Sequence, residues 1–308
     1  MKNLGEELAS TMQQRGWGLK YRELMKNALH DPDVQSFLKT NQDKLDATII
    51  KSPSSLASIY EYVQARRNID QLASGYQPRL IMANQQIQVT YEPNQQLIAQ
   101  QRQAELERKF MALDMSSGIR QASLDDYAKG ASSRQESYMA AINFTLQYTQ
   151  NPQQFVPGLY LSGTLGVGKT YLLAAIARQL VEHNVTVLLM HFPTFAVQMK
   201  NAIHDNSVLD RIDSIKAVPI VMLDDIGADS MSSWIRDEVL SVILQYRMQE
   251  KLPTFFSSNL SMEDLQLHMT VNQRGDYEPL KAARIMERIK YLSREIVVSG
   301  PNLRQQTS

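Results

Sequence analysis

Residues 220–225 read IVMLDD, four apolar residues followed by the adjacent acids Asp224 and Asp225. Burying an unpaired carboxylate costs on the order of several kcal/mol. A strand that ends this way either turns in solvent or meets something positive. Upstream, Gly163-Thr164-Leu165-Gly166-Val167-Gly168-Lys169-Thr170 matches G-x-x-x-x-G-K-[ST], with GLYLS before it and KTYLLAAIARQL after it. Glycines in a strand–loop–helix turn let backbone N–H groups close around phosphates, where the helix N-terminus adds its positive dipole end. Lys169 is placed to reach the β- and γ-phosphates, and the Thr170 hydroxyl to coordinate Mg2+. Gly163, Thr164, Gly166, Val167, Gly168 and Tyr171 complete the expected contacts to ATP.

That loop gives the two acids a purpose. A metal–nucleotide complex needs an acid on a neighbouring strand, and Asp224 fits this Walker B position as a second Mg2+ ligand. Side chains alternate along a strand, so Asp225 points elsewhere. It is either the general base for the attacking water or a cap for the next segment. Ser257-Ser258-Asn259 ends a later strand. There Asn259 either holds the water or γ-phosphate, or caps the helix SMEDLQLHM. Near the C-terminus, AARIMERIKYLSREIVV sets Arg284 and Arg288 four residues apart, on one helical face. An arginine here could reach a neighbouring subunit's γ-phosphate as an arginine finger, or form a solvated face beside Glu287. Arg304 follows the last strand and either contacts the nucleotide in the same chain or lies on the surface.

The elements that must hold these groups are legible as texture. Apolar, β-branched or aromatic runs occur at 158–163, 185–192, 219–224, 252–259 and 294–300, with helical stretches between them. Such alternation predicts an α/β fold with five buried parallel strands and helices on both faces. Two helices fit between the second and third strands. Their Lys200, Arg211 and Lys216 could line a channel for single-stranded DNA, although Asp205, Asp210 and Asp213 dilute the charge and favour ordinary helix surface. Few residues follow the fifth strand, so no C-terminal helical lid is expected. Residues 1–72 predict helices, from Leu4, Leu8 and Met12 and then Leu24, Ala28 and Leu29, with Asp31-Pro32 and Ser52-Pro53 as helix starts. LIM and IQVTY around ANQQ predict a short hairpin, and a polar helix follows over 95–112. The expected division is a domain over 1–112, a Ser/Gly/Asp-rich linker over 113–133 and an ATPase domain over 134–308.

Composition narrows the classes. The 32 basic and 32 acidic residues cancel, so nucleic-acid binding needs a local patch rather than a global field. There are no cysteines, which excludes disulfides and thiolate metal sites, and the 5 histidines lack ligand spacing, so zinc is not expected. No apolar run approaches the roughly 20 residues of a membrane span, and a cytoplasmic protein is the plain reading.

GTLGVGKTYLLAAIA, VMLDDIGAD, FFSSNLS and RIMERIKYLSREI together resemble the DnaI/DnaC family of bacterial replicative helicase loaders, DnaI more than DnaC. The resemblance is thinner in the N-terminal half, where GYQPRLIM and IQVTYEPN carry it. It implies an AAA+ P-loop ATPase core without a lid, preceded by a mainly helical N-terminal domain that docks on the hexameric replicative helicase. It also implies Arg288 as the finger with Arg284 beside it, Arg304 as a sensor-2-like group, single-stranded DNA as a ligand and self-association through the ATPase domain. DnaI proteins often hold zinc through cysteines and histidine, which this chain cannot reproduce. Two alternatives stand beside the loader: an IstB-type transposition helper with the same lidless core, and a nucleotide-gated binding module that turns over little because its second acid is Asp rather than Glu.

Overall fold

The computed structural model describes residues 18–68, 74–113, 115–128, 132–228 and 231–302. The chain forms two compact units, Met1–Gln103 and Ala104–Ser308. Leu4, Leu8, Met12 and Arg304 lie outside the described residues.

The first unit contains α1 (Gly18–Leu29), α2 (Pro32–Thr40), a short α3 (Ala47–Ile50) and α4 (Pro53–Arg67). Prolines open α2 and α4, where the missing N–H costs nothing. Asp31 and Ser52 cap them by accepting from Asp33 N and Ser55 N. Met25 and Ala28 of α1 are buried, whereas Leu24 is 36% exposed. The hairpin pairs β1 (Tyr76–Ala83) with β2 (Gln86–Pro93), antiparallel. Its two-residue turn, Asn84-Gln85, has positive φ at both positions, 51° and 56°, as a type I′ turn requires. Ile59 and Val63 of α4 meet Leu80 and Ile87 of the hairpin in an apolar core with Ala28 and Val34. The Ile87 amide donates to the buried Ser55 Oγ at 3.1 Å, tying strand to helix.

Helix α5 (Gln95–Lys109) carries the chain across the division between units. In the second unit follow β3 (Phe110–Leu113), α6 (Ser117–Arg120), α7 (Leu124–Ala128), α8 (Gln135–Gln150), β4 (Gly158–Ser162) and α9 (Lys169–Glu182). Next come β5 (Val187–His191), α10 (Phe192–Ala202), α11 (Val208–Lys216) and β6 (Ile220–Asp224). A π-helical turn (Ile235–Leu240) runs into α12 (Ser241–Gln249), followed by β7 (Thr254–Ser258), α13 (Met262–Thr270), α14 (Pro279–Leu292) and β8 (Ser293–Val297). The strand order is β3-β5-β6-β7-β4-β8, with every pairing parallel. Alternation divides the side chains between two cores. Leu159, Leu161, Leu189 and Met222 face one side with α9, and Tyr160, Met190, Leu223 and Phe256 face the other with α12 and α14.

Two boundaries differ from the sequence reading. The sheet has six strands rather than five, because Phe110–Leu113 adds an edge beside β5. Four residues between a polar helix and a Ser/Gly-rich stretch are too few to show alternation. The compact units divide at Gln103/Ala104, and residues expected as a linker form α6 and α7; Ala122 between them and Leu124 and Tyr127 of α7 are buried in the core that α9 shares.

One buried cation braces the sheet. Arg247 of α12 is fully buried and donates to the carbonyls of Lys216, Val218, Pro219 and Pro253 and to Thr254 Oγ1. It joins the approaches to β6 and β7. Burial pulls its guanidinium down to about 9, still above neutral pH, so it keeps its charge.

Candidate functional site

The loop between β4 and α9 is built for close approach. Gly168 opens α9 at φ +102°, in the left-handed region where side chains strain. A Cβ on Gly163 would stand 2.3 Å from the Val298 carbonyl oxygen. Val167 buries its side chain in the core, which leaves its backbone as the part a phosphate could touch. Thr164 and Leu165 are exposed.

Lys169 is 7% exposed, and its ammonium donates to Gly163 O at 2.7 Å, Thr164 O at 2.9 Å and Asn259 Oδ1 at 2.7 Å. The next residue, Thr170, donates its hydroxyl to both oxygens of Asp224, at 2.9 and 3.0 Å. Ser257 Oγ donates to the same carboxylate at 2.5 Å and accepts from the Asp225 amide at 2.9 Å. Burial pushes the Asp224 carboxyl up; the hydroxyls of Ser257 and Thr170 pull it back, and Asp225 pushes it up further.

Asp225 itself sits at φ +63°, which turns its side chain out of the strand's alternation. Asn259 Nδ2 approaches its Oδ1 at 3.3 Å, and His191 Nε2 lies 3.9 Å from its Oδ2. Asn259 thus touches both Lys169 and Asp225. Ser261 is the cap of α13, accepting from Asp264 N at 3.0 Å, so Asn259 is not that cap.

These groups border a cleft of about 420 Å3, which Met115, Ile119, Tyr171 and His191 also line. Tyr171 stacks on Tyr127 with ring centroids 6.3 Å apart. Asn302 presses its side chain against Gly166. The donor set fits a hard divalent cation, since Thr170 and Asp224 present oxygens side by side where a β,γ-phosphate would arrive. For zinc the chain has no thiolate, because it contains no cysteine.

The structure therefore brings together the loop residues Gly163–Tyr171 with Asp224, Asp225 and Asn259. Arg284 and Arg288 share a face of α14 but not this cleft. Arg284 is exposed, whereas Arg288 is half-buried and donates to Ser241 O at 3.2 Å and to the Ser241 hydroxyl. Burial lowers its pKa. On α10 and α11, Arg211 bonds Ser207, and Lys216 pairs with Asp213 and lies over the Tyr246 ring. Local partners thus occupy two of the three basic residues considered for DNA. Sequence reasoning passed over His191, Met115 and Ile119. His191 could have been found from its place at the end of a strand beside the one ending in Asp224.

A parallel sheet with this loop and these strand-end acids defines a nucleotide-binding ATPase of the P-loop class. Residues 62–308 match the family model described as IstB-like ATP binding protein, and residues 1–91 match that of the primosomal protein DnaI N-terminus. The chain is 35% identical to the replicative helicase loader DnaI of Bacillus subtilis, over 99% of both chains. It is 25% identical to the replicative helicase loader DnaC of Escherichia coli, over 58% of this chain and 78% of that one. A crystal structure of DnaI superposes with a TM-score of 0.56 at 43% identity, covering 63% of this chain and 100% of that one. The chain belongs to the DnaI family of helicase loaders.

Proposed function

We propose that this protein loads the replicative DNA helicase onto single-stranded DNA, in an ATP-dependent step of replication initiation or restart in the cytoplasm. The carrying observation is the connected set Thr170–Asp224–Ser257–Asp225–Asn259–Lys169 in a chain that belongs to the DnaI family throughout its length. The first unit docks on the hexameric helicase, and the second binds and hydrolyses ATP.

In the second unit, Lys169 exchanges loop carbonyls and Asn259 for phosphate oxygens. Thr170 and Asp224 hold Mg2+, which when bound draws charge from the β- and γ-phosphates. Asp225 takes the proton of the attacking water, which Asn259 helps to hold, and Tyr171 borders the nucleotide. In a head-to-tail assembly on DNA, Arg288, after releasing Ser241, reaches the neighbouring copy's γ-phosphate with Arg284 beside it, and Arg304 acts on the nucleotide in its own chain. Loss of the γ-phosphate then shifts the helicase from held to released. The match of residues 1–91 to a DnaI N-terminus favours this reading over a transposition helper.

The test is light scattering of the full chain mixed with its host's replicative helicase, with and without ATP, beside Lys169→Ala. A complex whose mass or lifetime responds to ATP in the wild type only is expected. Absence of any complex would remove the loader reading. A complex that responds to ATP without turnover would favour a nucleotide-gated module, which the Asp at position 225 makes chemically reasonable.

A further inference from the structure

Helix α14 carries Arg284 and Arg288, and it is tied at two points to one element, the π-helical turn and the α12 helix that continues it. One tie is light: Arg288 donates to the carbonyl and the hydroxyl of Ser241, the first residue of α12. The other is a cluster of charges at the N-terminus of α14. Arg236, in the π-turn, is 1% exposed and forks its guanidinium over both oxygens of Asp237, at 2.6 and 3.0 Å. It also donates to Glu278 Oε2 at 2.5 Å and to Met269 O at 2.9 Å. Lys281, in the first turn of α14, joins Glu278 at 2.5 Å and Asp237 at 3.1 Å. Glu278 stands at the N-cap of α14, yet its side chain makes no capping bond and goes to Arg236 instead. Lys281 is half exposed, so its pairs hold little. The buried guanidinium holds more, because drawing Glu278 away strips a charge far from water of one of its partners.

We propose that Arg236 is a positioning residue for Arg288. Through Glu278 it sets the pose of α14, and with it the reach of the arginine offered to a neighbouring copy. Glu278 and Arg288 are separated by about 15 Å of helix, at 1.5 Å per residue. A tilt of about 6° at Glu278 therefore carries Arg288 through about 1.5 Å, and a misplacement of about 1 Å at a reacting centre can cost a hundredfold in rate. Ile235, next to Arg236 in the π-turn, lines a small cavity of about 100 Å3 together with Asp225. The anchor of the arm offered to the next copy thus adjoins the chain's own pair of acids. This inference rests on the reading of Arg288 as a finger.

The experiment separates giving a finger from receiving one, with full chains throughout. Chains carrying Arg288→Ala receive but do not give, and chains carrying Lys169→Ala give but do not turn over. An equimolar mixture, at concentrations where light scattering shows association, is expected to hydrolyse ATP about fivefold faster than the mean of the two alone. Glu278→Gln, which leaves the buried Arg236 paired with Asp237, is then added to one partner at a time. In the giving chain it is expected to cut the recovered turnover by about threefold or more. In the receiving chain it leaves the recovery within about 1.5-fold, because that chain's α14 has no finger to aim. Lys281→Met in the giving chain, which keeps the Arg236–Glu278 pair, costs less than Glu278→Gln. Equal losses from Glu278→Gln in giver and receiver would mark a weakened fold and overturn the proposal, as would full recovery with Glu278→Gln in the giver. An unsubstituted pair that does not associate, or associates without recovering turnover, would instead remove the finger reading, and this proposal with it.

Discussion

Replacing Asp224 by asparagine is expected to stabilise the nucleotide-free protein while removing its response to Mg2+ and ATP. The Asp224 residue is 3% exposed and accepts from two neutral hydroxyls, that of Thr170 shared between both oxygens and that of Ser257, with the charge of Asp225 next to it. Hydrogen bonds to a charged acceptor return about 1.5–3 kcal/mol each, against a desolvation penalty of several kcal/mol. Burial pushes its carboxyl up, the direction expected where the penalty outweighs those bonds. Asparagine removes the unpaired buried charge and keeps an acceptor, for a net gain of about 1–2 kcal/mol at neutral pH. For a unit of about 200 residues that raises Tm by roughly 2–8 °C.

The pH dependence has a definite sign. Between the unfolded value near 3.8 and the raised folded value, the folded protein binds more protons, so the contribution of Asp224 to stability falls as pH rises through that window. The two proteins should melt alike in acid and separate toward neutral pH. Adding Mg2+ and ATP at about a hundred times Kd should then stabilise the wild type by about 2.7 kcal/mol and the variant by far less. Thermal melts between pH 4 and pH 8, with and without Mg2+ and ATP, read all of this. An asparagine variant that melts below the wild type at neutral pH, or gains equally from the nucleotide, would refute the reasoning.

Arg284→Ala and Arg288→Ala should each leave nucleotide affinity within about twofold and depress hydrolysis by about tenfold or more in assemblies, measured as turnover against protein concentration; unimpaired turnover in both would remove the finger assignment. Arg247→Leu leaves four carbonyls and a hydroxyl without their donor and is expected to cost about 3 kcal/mol, seen as a Tm lowered by roughly 6–12 °C. Lysine should restore little there, since one ammonium cannot span the groups that a planar fork reaches. Gln85→Gly, at φ 56° in the hairpin turn, should stabilise the first unit by about 0.5–1 kcal/mol, read as slower amide exchange in β1 and β2.

What could be read from the sequence divides along the reach of each constraint. The phosphate loop was legible because its demands are local: glycines for the turn, then Lys169 and Thr170 at the start of a helix. The proline-started helices and the hairpin around Asn84-Gln85 were legible for the same reason. Strand β3 was not, because its identity comes from pairing with β5 rather than from its own four residues. The stretch 113–133 has a linker's composition, yet Ala122, Leu124 and Tyr127 bury themselves against a helix far along the chain. His191 depended on knowing which strands are neighbours. The bond from Arg288 to Ser241 joins residues 47 apart, a distance no spacing rule covers.

Ser257 has one hydroxyl hydrogen, and it goes to Asp224; a lone pair on the same oxygen takes the Asp225 amide. The acid placed to hold the metal and the peptide carrying the acid placed to activate water thus hang from a single atom of a neighbouring strand. When Asp224 is drawn toward a cation, the hydroxyl must follow or let go, and in following it tilts the Asp225 peptide. With the roles proposed for the two acids, metal capture and the aiming of the base would be mechanically one motion, with Ser257 as its pivot.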